Sequence, residues 1–287
     1  MTISRKSFLT LGLGAAAGLA LGTAPRSAAA KEWKTIRVAT EGAFPPYNMH
    51  APDGRLIGFE PELLQELSAR IKIKCEMIAQ AWDGMIAGLT DGKYDAIMDA
   101  VSITPKRLEV IAFSTPYAAA PSGLAIMKDG AIKSLPGTGT KVPLPDEAAT
   151  KAAIDEMAKQ LAGKTIAVQV ATIQNDFLKK YLKDFVTIRT YPAGPDTFLD
   201  LKAGRVDAVM ASAINLNASA KKSNGEMIQS GYVFAGGLLG LGSAVGLRKG
   251  DPELKELFDK ALASVTEDGT LKRLSLKWFE MDITPVR

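Results

Sequence analysis

The sequence predicts an α/β protein of two related lobes, each a mostly parallel sheet flanked by helices. Three observations predict it. First, KTIRVAT at 34–40 matches KTIAVQV at 164–170, and LTDGKYDAIMDA at 89–100 matches LKAGRVDAVMAS at 201–212, in the same order. Second, strand-like and helix-like segments alternate within each half, the pattern of a parallel sheet covered on both faces. Third, the distance between the matches far exceeds the roughly 20–50-residue period of a solenoid, so whole units are repeated.

In the first unit TIRVAT is a strand. FEPELLQELSARIKI places Phe59, Leu63, Leu64, Leu67 and Ile71 at helical spacing. CEMIAQAW is the next strand, and a helix from Trp82 to Leu89 feeds the strand YDAIMDA. In the second unit IAVQV is a strand, IQNDFLKKYL a helix, VTIRTY a strand, and DTFLDLKAG a helix before the strand VDAVMAS. Gly near the end of each helix in the repeated string suits a C-cap.

Between the units, GLAIMKDG (123–130) is a strand that can cross from one lobe to the other. A Pro- and Gly-containing stretch follows, and then EAATKAAIDEMAKQLAG reads as an extra surface helix. After the second unit, YVFAGGLLGLGSAVGLRKG can cross back. DPELKELFDKALASV is an amphipathic helix with Asp251 suited to the N-cap and Pro252 to the first turn. LKRLSLKWF completes the chain on the first lobe. The expected organisation is a signal peptide at 1–30, a first lobe of 31–126 with 234–287, and a second lobe of 127–233 carrying an extra loop and helix at about 131–162.

The leader has its own signature. Arg5 and Lys6 precede the uncharged run Phe8–Gly22, and small residues up to Ala30 offer cleavage sites. The run is shorter than the roughly 20 apolar residues of a membrane span. SRKSFLT is similar to a twin-arginine export signal with Lys at the second basic position, and the export route stays open. An exported, periplasmic protein is expected.

Composition narrows the function. The chain is 47% hydrophobic and 23% charged, an ordinary globular balance. Its formal charge of +4 rests on the leader: residues 1–30 hold three basic and no acidic residues, leaving 32 basic against 31 acidic. That balance, without a basic stripe, argues against nucleic-acid binding. The single cysteine, Cys75, excludes an internal disulfide and is expected to be buried in a strand. The single histidine, His50, lies in the loop MHAPDG. No second Cys or His stands at metal-ligand spacing, so zinc enzymes and Ser-His-Asp hydrolases lose most of their support, and no metal or cofactor is expected.

In open α/β sheets, ligands bind beyond the carboxyl ends of the strands. Residues just after each strand are therefore the candidates: Glu41, Phe44 and Tyr47; Trp82; Asp99, Ala100, Ser102 and Arg107; Ala171 and Thr172; Ala211 and Ser212. Arg107 can hold a carboxylate by a bidentate pair, with Ser102 adding a hydrogen bond. Thr172 begins a helix, where backbone N–H groups bind anions. Phe44 and Trp82 supply flat apolar walls, and Glu41 and Asp99 can neutralise a cation. Each has an ordinary alternative: Arg107 as a surface or capping residue, Trp82 as core, Asp99 as a turn cap or a partner of Lys106. Their convergence is what points to a small-molecule clamp.

At these residues the chain resembles the extracytoplasmic solute-binding proteins of polar amino-acid ABC importers (family 3). The strings GFEPELLQEL, YDAIMDAVSITPKRLEVIAFSTPY, LKAGRVDAV, VGLRKGDPELK and TEDGTLKRLSLKWF carry the likeness across nearly all of the mature chain. It is most similar to the octopine- and nopaline-binding branch, with lysine/arginine/ornithine- and histidine-binding relatives further off. The resemblance implies the periplasmic-binding-protein fold with a two-segment hinge, a ligand carboxylate held by Arg107 and Ser102, aromatic stacking on Phe44 and Trp82, and Glu41 as partner of a cationic tail. It also implies an inner-membrane ABC permease as partner, and a monomer.

Two departures stand out. The family usually has Gly-Ser/Thr-Thr after the Val-Gln of the second lobe, where this chain has Val170-Ala171-Thr172. Amino-acid binders place an Asp after the strand of AGRVDAV to hold the α-ammonium, where this chain has Ser212. A hydroxyl cannot balance a desolvated ammonium, so an opine with a substituted amine is favoured over a free α-amino acid. The expected function is capture of an opine or basic amino acid for import. A solute sensor, or a dehydratase on the same scaffold using Glu41 or Asp99 as general acid, are the alternatives.

Overall fold

The computed structural model describes residues 33–119 and 121–285, so the expected signal peptide at 1–30 lies outside the described residues. KTIRVAT and KTIAVQV become the second strand of each of two sheets, and the other matched pair of strings supplies the third. Along Thr35–Thr40, Ile36 and Val38 enter the core on one face and Ala39 the core on the other. Along Thr165–Gln169, Ile166 and Val168 do the same, with Ala167 opposite. A strand that buries both faces needs helices on both sides, which is what a parallel sheet provides.

The first sheet runs in the order Lys74–Ala79, Thr35–Thr40, Ala96–Ile97, Gly246–Leu247, Ala112–Phe113. The second runs Thr187–Tyr191, Thr165–Gln169, Ala208–Ser212, Ser122–Met127, Met227–Ala235, Lys141–Pro143. The first four positions correspond: two parallel pairings, then one antiparallel strand. The repeat seen in the strings is thus a repeat of sheet topology.

Helices fill the faces. Phe59–Ile71, Pro252–Glu267 and Thr270–Phe279 pack Phe59, Leu63, Phe258 and Phe279 against one face of the first sheet. Met85–Thr90 covers the other with Met85 and Leu89. On the second sheet, Glu147–Leu161 and Ile173–Tyr181 share one core, and Leu201 and Leu216 from Gly194–Lys202 and Ala213–Lys222 lie in the other. Among the described residues no helix is long and apolar enough to cross a membrane.

Several expectations need correction. Ser122–Met127 belongs wholly to the second sheet, flanked by Ala208–Ser212 and Met227–Ala235, so the chain leaves the first sheet before Ser122 and not at 126. The return likewise falls after Ala235 and not at 234, because Met227–Ala235 is a second-sheet strand. The expected strand YDAIMDA pairs as a strand only at Ala96–Ile97, since Asp95 and Asp99 turn to side-chain partners at its ends. Cys75 is half-buried, not buried, because its strand is the edge of the sheet. Asp251 occupies the N-cap position, yet its carboxylate accepts from Arg248 Nε at 2.7 Å and makes no cap bond. His50 is exposed at the end of a three-residue strand that pairs with Ala43–Phe44 and Leu56–Ile57, a small sheet that was not expected.

The two connections between the sheets run side by side. Ser243 N donates to Ala118 O at 2.8 Å, and Tyr117 N donates to Ser243 O at 2.8 Å. Gly242 permits this approach: a Cβ there would lie 2.8 Å from Ala118 O, and its φ is +127°.

Candidate functional site

The site begins where Ala96–Ile97 ends. Ala100 takes a left-handed backbone, φ 48°, which an L-residue adopts at a cost of roughly 1–2 kcal/mol. Buried groups hold it there: Ala100 N donates to Glu60 Oε1 at 2.7 Å, and Ser243 Oγ donates to Ala100 O at 3.1 Å. The turn places Asp99 and Ser102 on the cavity wall. Glu60 is itself fully buried, accepting from Asn48 Nδ2 at 2.7 Å and from the Tyr117 hydroxyl.

Asp99 neither pairs with Lys106 nor faces solvent; it is 6% exposed. Its Oδ1 accepts from Glu41 N at 2.9 Å, Asn48 Nδ2 at 2.9 Å and Thr40 Oγ1 at 3.3 Å. Burial, then the neighbouring charges of Glu60 and Glu41, push its carboxyl well above the usual range. Burial also raises Glu60 and Glu41.

Thr104 caps the short helix Pro105–Leu108 by accepting from Arg107 N at 3.2 Å. The turn brings Arg107 back over the cavity. Its Nη1 donates to Ser102 O at 3.1 Å, and its guanidinium carbon lies 5.2 Å from the Trp82 ring. Burial lowers the guanidinium to about 10, with Asp176 and Asp99 acting in the opposite sense.

The second sheet contributes from the opposite side. Ala171 is also left-handed, φ 58°, so the bulkier Val170-Ala171 turn is made without glycine. Thr172 N-caps Ile173–Tyr181: its Oγ1 accepts from Asn175 N at 3.2 Å and donates to Gln169 O at 2.8 Å. The hydroxyl is therefore occupied. The first N–H groups of the helix, on Ile173 and Gln174, have no acceptor within it, and both residues line the cavity. Ser212 likewise caps Ala213–Lys222, and its Oγ is 2.5 Å from Asn215 Oδ1.

Direct hydrogen bonds join the two sides at the cavity, and outside it Lys221 Nζ donates to Glu280 Oε2 at 2.5 Å. Gln169 Nε2 donates to Glu41 Oε1 at 2.9 Å. Trp82 Nε1 donates to Ala171 O at 3.3 Å. Asn215 Nδ2 donates to Pro45 O at 2.7 Å.

These walls enclose a cavity of about 270 Å³. Glu41, Phe44, Trp82, Asp99, Ala100, Ser102, Arg107, Thr172 and Ser212 all line it. So do Tyr47, Gln169, Thr197, Phe198 and Asn215. Its charges are divided: Arg107, Glu41 and Asp99 on the first-lobe wall, and Lys222 with no acid among the second-lobe lining residues. Sequence reasoning missed Asn48, Glu60, Gln169 and Asn215. Gln169 had a signal, since it ends a strand in the same way as Thr40. Glu60 stood in the GFEPELL string, but nothing local showed that its helix start reaches under another strand.

A family model for bacterial extracellular solute-binding proteins, family 3, matches residues 36–281. The chain belongs to that family. Among relatives of this family-3 protein, the octopine-binding periplasmic protein of Rhizobium meliloti is 43% identical over 90% of this chain and 94% of its own. The L-cystine-binding protein TcyJ of Escherichia coli K12 is 32% identical over 88% and 86%. A solved periplasmic His/Glu/Gln/Arg/opine family-binding protein from Silicibacter pomeroyi, in complex with lysine, superposes with a TM-score of 0.69 at 32% identity, covering 88% of this chain and all of that one. No cluster of three or more His, Cys, Asp or Glu suited to a metal is present among the described residues.

Proposed function

We propose that this family-3 protein is the extracytoplasmic solute-binding component of an ABC importer. It captures a small solute bearing a carboxylate and a cationic group between its lobes and delivers it to a membrane permease. The observation that carries the ligand class is Arg107. A half-buried guanidinium, its charge disfavoured by partial burial and with no carboxylate within ion-pair distance among the described residues, favours an incoming anion. Ser102 stands beside it, its hydroxyl without a hydrogen-bond partner among the described residues. Glu41 and Asp99 on the same wall suit the cation.

Within that class we favour an opine. The second-lobe wall offers Ser212, whose hydroxyl is committed to Asn215, where a free α-ammonium would need an acid. The amine of an opine carries an additional carboxylate-bearing arm, and the N–H groups of Ile173 and Gln174 suit that second anion. The octopine-binding relative supports the same choice.

Calorimetric titration with octopine, nopaline, arginine, lysine, histidine and cystine tests the reading. Binding of an opine at nanomolar to micromolar concentration is expected. Binding of none of the six rejects the ligand class and leaves the family assignment standing.

A further inference from the structure

Asp99 and Glu60 form a pair of buried carboxyl groups behind the cavity wall. One amide nitrogen bridges them: Asn48 Nδ2 donates to Glu60 Oε2 at 2.7 Å and to Asp99 Oδ1 at 2.9 Å. Neither has a Lys or Arg within ion-pair distance among the described residues. Glu60 accepts from Asn48, Ala100 N and Tyr117, and Asp99 Oδ1 takes three donors. Asp99 Oδ2 takes none, although its residue is only 6% exposed and lines the cavity.

We infer that, without ligand, Asp99 and Glu60 hold one proton between them, and that a cationic group entering against Asp99 Oδ2 expels it, so that capture of a cationic solute releases a proton. The proton passes to solvent, and no other bond is made or broken. The inference rests on the proposed cationic ligand class and adds to it the group that senses the charge.

Two adjacent carboxylates out of water, with no ion-paired cation, do not both ionise. The surrounding charges agree. Glu41, on the strand end above, repels a charge on Asp99. Arg107 and Lys222 are the cations among the cavity's lining residues; Arg107 feels the charge of Asp99, and neither makes an ion pair with it among the described residues. The phenols of Tyr117 and Tyr47, which face Glu60, are pushed upward by burial and by Glu60, so they keep their own protons. A guanidinium or ammonium at Oδ2 supplies the missing charge and removes the reason to keep the proton. A neutral ligand group does not. Asp99 thereby makes the site sensitive to ligand charge and to pH, with cation capture weakening as pH falls.

Carboxyl carbon NMR of the ligand-free protein, with Asp99→Asn beside it, tests the pair. Asn retains the Oδ1 acceptor for all three donors. One carboxyl is expected to titrate well above the ordinary range in the natural protein, and this titration is lost in the variant. Calorimetry with octopine and L-arginine over a series of pH values, in buffers of different ionisation enthalpy, is expected to show net proton release on binding where the pair holds its proton, and none in Asp99→Asn. Ordinary titration of both carboxyls, or binding without proton release, overturns the inference. If neither solute binds, the ligand class fails separately. Guanidinium ion below denaturing concentration then serves as probe: a lowered titration of the pair supports the inference, and an unmoved one overturns it.

Discussion

The guanidinium of Arg107 lies 5.2 Å over the ring of Trp82 and is tied to Ser102 O, with no carboxylate in ion-pair range among the described residues. Its planar face is occupied by the indole, which leaves N–H groups at its edge for a ligand carboxylate. Arg107→Ala is expected to weaken binding at least about 100-fold by calorimetry, the loss of a charge-assisted bidentate pair. Arg107→Lys keeps the charge and loses the fork, and an intermediate loss of roughly tenfold is expected. Unchanged affinity in Arg107→Ala would remove this residue from the site.

Glu41 and Gln169 meet across the cleft at 2.9 Å. Gln169→Ala removes one bridge between the sides, and about a fivefold weaker affinity is expected, the scale of a single net hydrogen bond. Glu41→Gln should cost a cationic ligand more than a neutral one. A double-mutant cycle measured by ligand titration checks whether the two losses are coupled.

Ser212→Asp places an acid where the second-lobe wall has none. The expected outcome is a shift in preference toward free α-amino acids and away from opines. Competition between L-arginine and octopine for the variant measures it, and an unaltered ratio would contradict the role assigned to this position.

A stability prediction comes from Asp95. Its Oδ2 accepts from Arg37 N at 3.0 Å and Arg37 Nε at 3.1 Å, while Arg248 Nη2 stands 3.2 Å from Oδ1. Burial alone would raise this carboxyl, but the bonds to Arg37 and Arg248 outweigh it and hold it below the usual range. A group depressed in the folded state contributes stability above its unfolded value, near pH 4, and loses it as pH falls through the folded value. Asp95→Ala is expected to destabilise by roughly 2–4 kcal/mol at pH 7 and by less at pH 3, read from denaturant melts at the two pH values.

Much of this architecture is legible in the chain because it is local. The alternation in TIRVAT and TIAVQ, the helical spacing from Phe59 to Ile71, and the capping positions of Thr104 and Thr172 need only neighbouring residues to express themselves. The strand-end rule then brings eleven of its twelve scattered candidates to the lining of one cavity, Ala171 being the exception. What stayed hidden depends on distant packing. The helix Ala213–Lys222 has a weak apolar stripe, and its Asn215 matters only because Pro45, 170 residues away, comes within 2.7 Å.

The sequence by itself determined the two-lobed α/β plan, the repeat that builds it and the turn chemistry that ends each strand. The tertiary structure alone decided the electrostatics of the site. Whether Asp99 is a solvated carboxylate or half of a buried acid pair depends on Glu60, which begins a helix 39 positions earlier and is carried beneath the strand end by the core around Phe59. Ionisation responds to water and charge within a few ångströms in space, and which groups share that space is settled by packing rather than by order along the chain.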